Sequence, residues 1–351
     1  MELTCPEIGI DTLASPPVAA LEVRGIGKTY TKQSWLTRRK TVTRALDNVS
    51  FAVRPGETLG LLGPNGAGKT TTLKIISHML TPTSGQVLMF GRDVAERIGH
   101  SSDTLGLVTC DERSFYWRLT GRQNLEFFAA LYKVPADAAR QRIAFFLDAL
   151  GLTYAADRPY ASYSSGMMQK MSIARGLLSN PRIVLYDEPT RSLDPLSAQS
   201  IRAWILENKR RNPSQASILA TNLLNEAELL CDRIVIINRG QLIDSGTIAE
   251  VRARWDSRET VTHRIEYQGP IPAGLIAGIQ GVSLVDHALP TADAPGTLRI
   301  ETAWRSDGLS RVLSKLLSAR AVIQECHTEV RPFDEVFCSM VTHQPEAGGV
   351  R

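Results

Sequence analysis

An α/β fold built on a mostly parallel sheet, followed by a separate α+β domain of roughly 90 residues, is what the sequence predicts. Three observations carry the prediction. Up to about residue 250, short apolar runs bounded by turn residues alternate with stretches whose apolar residues recur at helical spacing. One of those runs passes through a glycine-rich turn, Gly63 to Thr70, directly into a helical stretch. Past about residue 255 the candidates follow the order β-α-β-β-α-β, the ferredoxin-like split pattern. The 351 residues, 43% of them hydrophobic, suffice for one large core and a smaller companion.

Residues 1–19 hold an early acid, no basic leader and no apolar run of signal-peptide length, and are expected to form a mobile tail. "ALEVRGIGKTY" (20–30) and "ALDNVSFAVR" (45–54) alternate as strands do. The basic stretch between them is expected to be a solvated hairpin connection. "GETLGLLGPNGAGKTTTLKIISHML" reads as buried strand, loop and helix. Residues 104–180 are expected to form a mostly helical subdomain, since "RQNLEFFAALYKV" and "DAARQRIAFFLDALG" carry apolar stripes and the second stops on Gly151. "RIVLYDEP" follows as a buried strand, and Pro195 opens a helix in "DPLSAQSIRAWILENKRR". "ASILAT" is a further strand and "RIVIINRGQLIDSG" a hairpin pair, which completes one large domain over 20–250.

In the second domain, 256–342, the strand candidates are "THRIEYQ", "GVSLVDH", "GTLRIET" and "RAVIQECHTEV". "PAGLIAGI" is the weaker first helix. The second is "SDGLSRVLSKLLSAR", with Leu309, Val312, Leu313, Leu316 and Leu317 on one face behind a Ser306 or Asp307 cap. Residues 343–351 are left as a tail.

A formal charge of +4, from 40 basic and 36 acidic residues, is too small over this length to argue for nucleic acid as the main partner. Five cysteines, with no C-x-x-C spacing, read as reduced thiols rather than as a metal or redox centre. The longest apolar candidate, 270–282, falls short of the roughly 20 residues of a membrane helix and carries three glycines and Gln280.

"GPNGAGKT", Gly63 to Thr70, satisfies G-x-x-x-x-G-K-[ST] between a strand and a helix. Its glycines let backbone N–H groups turn inward on phosphate oxygens, and the helix N-terminus adds partial positive charge. Lys69 brings a full charge to the β and γ phosphates, and the Thr70 hydroxyl is placed for Mg²⁺. "IVLYDEP", 183–189, is an apolar strand that closes in two carboxylates. Asp187 suits a Mg²⁺ ligand acting through the metal's water shell, and Glu188 a general base for the attacking water.

With "YSSGMMQKMSIARGLL" (163–178) between these motifs and "SLD" (192–194) after them, the chain resembles the ATP-binding-cassette ATPases over about residues 20–250. Residues 163–167 stand where that family has L-S-G-G-Q, and Ser164 and Gly166 match it. Met167 in the last place is similar to cassettes of drug, polyketide and lipid exporters. The resemblance implies ATP and Mg²⁺ as ligands, with Pro64, Asn65, Gly66, Ala67, Gly68 and Thr71 joining Gly63, Lys69 and Thr70 around the nucleotide. It also implies a head-to-tail homodimer, or a heterodimer with another cassette, in which Ser164 and the Gly166 amide clasp the γ phosphate in trans. Residues 192–194 would then run across the interface, and Tyr30 would stack on adenine. From the residues alone Ser164 also reads as a plain helix cap, and Tyr30 as plain packing.

Two family positions differ. Where the family has a Gln that reaches the metal, counting places Asp111, with Cys110 or Glu112 as one-residue slips. Where it has a His that bonds the γ phosphate and aligns the water, this chain has Asn222, which keeps a donor but does not titrate. Tight nucleotide binding with slow hydrolysis is the expectation. The resemblance further implies a separate transmembrane permease subunit, met through Phe115, Tyr116 and Trp117, and a cytoplasmic, peripheral place at the inner face of the membrane. The second domain, ending in "PFDEVFCSMV", resembles the small C-terminal module of such exporters. Two alternatives stay open: a hydrolysis-poor regulatory cassette paired with a more active one, and a soluble cassette ATPase not tied to transport.

Overall fold

The computed structural model describes residues 18–33, 40–96, 104–109, 115–255, 260–271, 274–275, 279–291, 295–303, 306–329 and 333–342. The chain divides into two units, Met1–Ile248 and Ala249–Arg351.

In the first unit β1 (Leu21–Gln33) and β2 (Lys40–Val53) pair antiparallel over their length, so the strands extend into the basic stretch read as connection. With β4 (Ser84–Met89) and β5 (Arg92–Asp93) they form an antiparallel sheet in the order β2-β1-β4-β5. The second sheet contains β3 (Thr58–Leu62), β6 (Leu105–Thr109), β7 (Ile183–Asp187), β8 (Ala216–Thr221), β9 (Arg233–Asn238) and β10 (Gln241–Gly246). Its order is β10-β9-β3-β8-β7-β6, parallel throughout except for the β9–β10 hairpin. Strands β3 and β8 are buried at every residue because both faces of this sheet are covered. On one face Leu59, Leu61, Leu185, Ile218 and Val235 pack with the antiparallel sheet and with α1 (Lys69–Ile76).

On the other face Val184, Tyr186 and Leu219 join a core supplied by α2 (Gly121–Leu131), α3 (Ala136–Ala149), α4 (Ser165–Leu177) and α5 (Pro195–Arg211). Here the fold corrects the sequence reading: 105–109, assigned to the helical subdomain, is strand β6 of the parallel sheet, and the helices begin at Gly121. Helix α2 starts on a capping box between Thr120 and Gln123. Just inside it the fully buried Asn124 accepts from the Tyr116 N–H at 2.8 Å and donates to the Tyr116 carbonyl at 3.0 Å. That anchor fixes the aromatic loop: Tyr116 and Trp117 stay exposed, while Phe115, expected with them at a permease contact, is instead buried in the core. A short helix, α6 (Leu224–Leu230), links β8 to β9.

The second unit opens with most of α7 (Ile248–Trp255), a helix the sequence reading does not anticipate. Strands β11 (Thr260–Gln268), β12 (Val282–Ala288), β13 (Gly296–Ala303) and β14 (Val322–Glu329) form an antiparallel sheet in the order β12-β13-β11-β14. Numbered within the unit this is 2-3-1-4, the ferredoxin-like arrangement. The expected first helix, 272–279, falls largely outside the described residues. The second is α8 (Gly308–Ser318), whose Val312 and Leu316 are buried while Leu317, expected on the same face, is exposed. Helix α9 (Phe333–Thr342) buries Phe333, Val336 and Met340.

Inside this sheet His263 is buried, its Nδ1 3.1 Å from Thr328 Oγ1 and its Nε2 3.0 Å from Thr302 Oγ1. Burial lowers its pKa below the ordinary 6.5, so the folded unit favours the neutral ring. The unfolded chain therefore takes up the proton first as pH falls, and stability present above the unfolded pKa is lost as pH drops through the folded one. Protection of the amides in β11, β13 and β14, taken as observed exchange corrected for the slower intrinsic rate at low pH, is expected to be lower at about pH 5.5 than at about pH 7.5, and His263→Gln is expected to flatten that difference.

Candidate functional site

The register of the parallel sheet gathers the predicted residues at one edge. Leu62 pairs with Thr221, and Asp187 pairs with both Ala220 and Thr109. Gly63, Glu188 and Asn222 therefore leave adjacent strands together at their carboxyl ends, where open parallel sheets bind ligands. Asp111 follows Thr109 by two residues but lies, with Cys110 and Glu112, outside the described residues.

The loop from Gly63 to Gly68 turns over the end of β3. Gly63 is required by close approach, since a Cβ there would lie 2.2 Å from the Ile237 carbonyl oxygen. Gly68, at φ 112, turns the chain into α1. No side chain caps α1 and its first turn holds no acid, so the helix N-terminus offers its N–H groups and dipole to an anion. The Lys69 ammonium is buried, donating to the Gly63 carbonyl at 2.7 Å and the Pro64 carbonyl at 3.2 Å. Burial lowers its pKa, and the charge of Glu188, 3.6 Å away, works against that shift. Thr70 Oγ1 lies 3.4 Å from Asp187 Oδ1. Burial raises the Asp187 pKa, and the neighbouring Glu188 charge raises it further.

Glu188 sits at φ 49, a left-handed conformation uncommon outside glycine. Its N–H donates to the Ala220 carbonyl at 2.8 Å, which ties the bend to β8. Arg191 Nη1 donates to its carboxylate at 2.8 Å. Asn222 is exposed at the bend between β8 and α6. Tyr30 is exposed on β1 with the Lys28 ammonium 5.5 Å from its ring centroid. Its partner Thr43 lies two residues from Ala45, whose carbonyl oxygen would be 3.0 Å from a Cβ on Gly68, so this hairpin abuts the phosphate loop.

Ser164 and Gly166 belong to a second cluster at the start of α4. Ser164 caps the helix, accepting from the Met167 N–H at 3.3 Å. A Cβ on Gly166 would lie 2.6 Å from Ser197 Oγ, so glycine lets α4 close on α5. Asp194 caps α5 in turn, accepting from the Ser197 N–H at 2.9 Å. Sequence reasoning passes over Arg191, Ser197 and the buried trio Thr190, Thr221 and Glu226. In the fold Glu226 lies with Ala227 and Leu230 on the buried face of α6, a placement for which an acid in a short helix gives no sequence signal.

A groove of about 870 Å³ runs beside the end of α1, β6 and the α2–α3 connection, lined by Leu131, Tyr132 and Val134 and by the basic Lys133, Arg142 and Arg175. On α2 and the loop before it, the exposed Phe127 and Tyr116 rings meet edge to face at 4.8 Å. No helix among the described residues is long and apolar enough to cross a membrane.

Comparison with known proteins places the chain in a family. Residues 46–191 match the family model described as ABC transporter. The chain is 39% identical over 341 residues to the doxorubicin resistance ATP-binding protein DrrA of Mycobacterium tuberculosis, covering 93% of this chain and 95% of that protein. It is 38% identical over 248 residues to the probable multidrug ABC transporter ATP-binding protein YbhF of Escherichia coli, covering 70% of this chain and 42% of that one. A solved structure of the ATP-binding subunit of an ABC transporter aligns with a TM-score of 0.57 at 28% identity, over 67% of this chain and 93% of its own. The chain belongs to the ABC transporter family and is an ATP-binding, ATP-hydrolysing subunit.

Proposed function

We propose that this protein is the ATPase subunit of an exporter of drug-like or lipid-like compounds, working as a head-to-tail dimer of cassettes on a separate permease. The observation that carries the reading is the convergence of the Gly63–Thr71 loop, Asp187 and Glu188 at one sheet edge. The relatives named for doxorubicin and multidrug resistance support the substrate class.

The loop N–H groups and Lys69 hold the phosphates, with Pro64, Asn65, Gly66, Ala67, Gly68 and Thr71 completing the cradle and Tyr30 stacking on the base. The described residues include no cluster of three or more acid, His or Cys side chains placed for a metal. Mg²⁺ needs none, since it keeps water and phosphate oxygens and takes one or two protein ligands, and the adjacent Thr70 hydroxyl and Asp187 carboxylate fit that demand. Bound there with ATP, the metal would neutralise phosphate charge. Glu188 accepts a proton from water as it attacks the γ phosphorus and the bond to the β-phosphate oxygen breaks. Ser164 and the Gly166 amide of the opposite cassette complete the γ-phosphate site. Asn222 bonds the same phosphate without carrying charge, and Asp111 supplies an acid in place of an amide, so hydrolysis is slow.

The permease's cytoplasmic helix docks on Tyr116, Trp117 and Phe127 and the basic groove beside them, which places the subunit at the inner face of the membrane. Asn222 also favours a second reading, in which this cassette binds ATP and pairs with a more active one; co-purification with an intact second cassette would select it.

Lys69→Ala tests the nucleotide site. A hydrogen bond to a charged group is worth about 1.5–3 kcal/mol, so ATP affinity is expected to fall roughly 10- to 100-fold by titration calorimetry. Affinity unchanged within twofold would place the nucleotide elsewhere.

A further inference from the structure

We propose that Glu226 is a positioning residue of the ATPase site: its buried carboxylate ties the loop that carries Glu188 to the strand end that carries Asn222. The inference rests on the reading of Glu188 as the base and Asn222 as the phosphate-side donor.

Glu226 is fully buried. Thr190 Oγ1 donates to its Oε1 at 2.8 Å, and Thr221 Oγ1 donates to its Oε2 at 2.6 Å. Both threonines are themselves buried. Thr190 stands two residues after Glu188, and Thr221 is bonded through the sheet one residue before Asn222. Thr221 Oγ1 also accepts from the Leu223 N–H at 3.0 Å, so the same hydroxyl pins the backbone on the far side of Asn222. One carboxylate thus brackets both functional segments.

A helix-capping role does not account for this arrangement. Glu226 lies in the first turn of α6, where an acid suits the helix dipole. Yet the donors that meet its oxygens are hydroxyls from two segments outside the helix. Burial raises the Glu226 pKa while the Thr221 and Thr190 hydroxyls pull it down. An acid kept in an apolar interior, where an alkyl side chain costs less, is there for its two acceptors. The Glu188 N–H also bonds the Ala220 carbonyl, a tie made at the backbone of Glu188 itself, before the loop that carries Thr190. The tie at Thr190 fixes that loop, and with it the direction of the Glu188 side chain from its left-handed bend.

Phosphate release, ATP affinity and ATP stoichiometry are to be measured on the full-length Glu226→Gln, Thr190→Val, Glu188→Gln and Glu188→Gln/Glu226→Gln variants. A base displaced by a fraction of an ångström to one ångström costs roughly 10- to 100-fold in rate. Glu226→Gln and Thr190→Val are each expected to lower kcat by about tenfold or more, with ATP stoichiometry intact and KM within twofold. Thr190→Ser, which keeps the hydroxyl, is expected to recover most of what Thr190→Val loses. Because Glu226 acts through Glu188, Glu188→Gln/Glu226→Gln is expected to be no slower than Glu188→Gln alone. A role confined to folding would instead lower stoichiometry and multiply the two losses. If Glu188→Gln is slow while Glu226→Gln and Thr190→Val turn over like the wild type, or if the losses multiply, the tie is wrong and the base stands. If Glu188→Gln turns over like the wild type, the base assignment fails and the tie falls with it.

Discussion

Replacing Glu188 by Gln is expected to lower ATP turnover by about 10³-fold, within the 10²–10⁴ range of a positioned proton acceptor, while ATP stays bound. Gln is nearly isosteric, and the features that set the bend at 188 are backbone ones: the positive φ and the N–H bond to Ala220. What the change removes is the charge that faces Lys69 at 3.6 Å and Arg191 at 2.8 Å, and the ability to take a proton from water. Removing a negative charge beside the phosphates also eases ATP binding. Phosphate release should therefore collapse while affinity holds or improves. Full turnover in Glu188→Gln would mean that another group takes the proton.

Asn222→His is expected to raise turnover by about 10²-fold, the low end for a positioned acid–base group. Position 222 is exposed at the carboxyl edge of the sheet, so an imidazole enters without repacking the core. The neighbouring Thr221 is held by Glu226 and by the Leu223 N–H, so the backbone on either side of the new ring stays in place. An amide donates but cannot charge, whereas an imidazole both donates and accommodates charge as the phosphate leaves. ATP affinity should change little, because the loop and Lys69 provide most of the phosphate contacts.

The proposed phosphate site was legible because backbone geometry dictates its residues: only glycine fits at 63 against the Ile237 carbonyl, and Lys69 and Thr70 follow at the start of α1. The parallel sheet was legible from apolar runs with turn residues behind them. Strand β6 was not, since the five residues "LGLVT" are too few to separate a buried strand from a helical segment by periodicity. Leu317 misled in a different way: five apolar residues on one stripe of α8 exceed what one sheet covers, and the outermost is left in water. Glu226 was illegible because an acid in a short helix reads as solvated. Its two hydroxyl partners stand 36 and 5 residues away, and only the folded sheet edge brings them together.

The central claim is that this cassette binds ATP well and hydrolyses it slowly because position 222 lacks an imidazole. The direct measurement is ATP affinity and phosphate release of the wild type and Asn222→His, on matched samples at saturating Mg-ATP. Equal affinities with turnover about 10²-fold faster in Asn222→His is the predicted result. A wild type that turns over as fast as Asn222→His would contradict it.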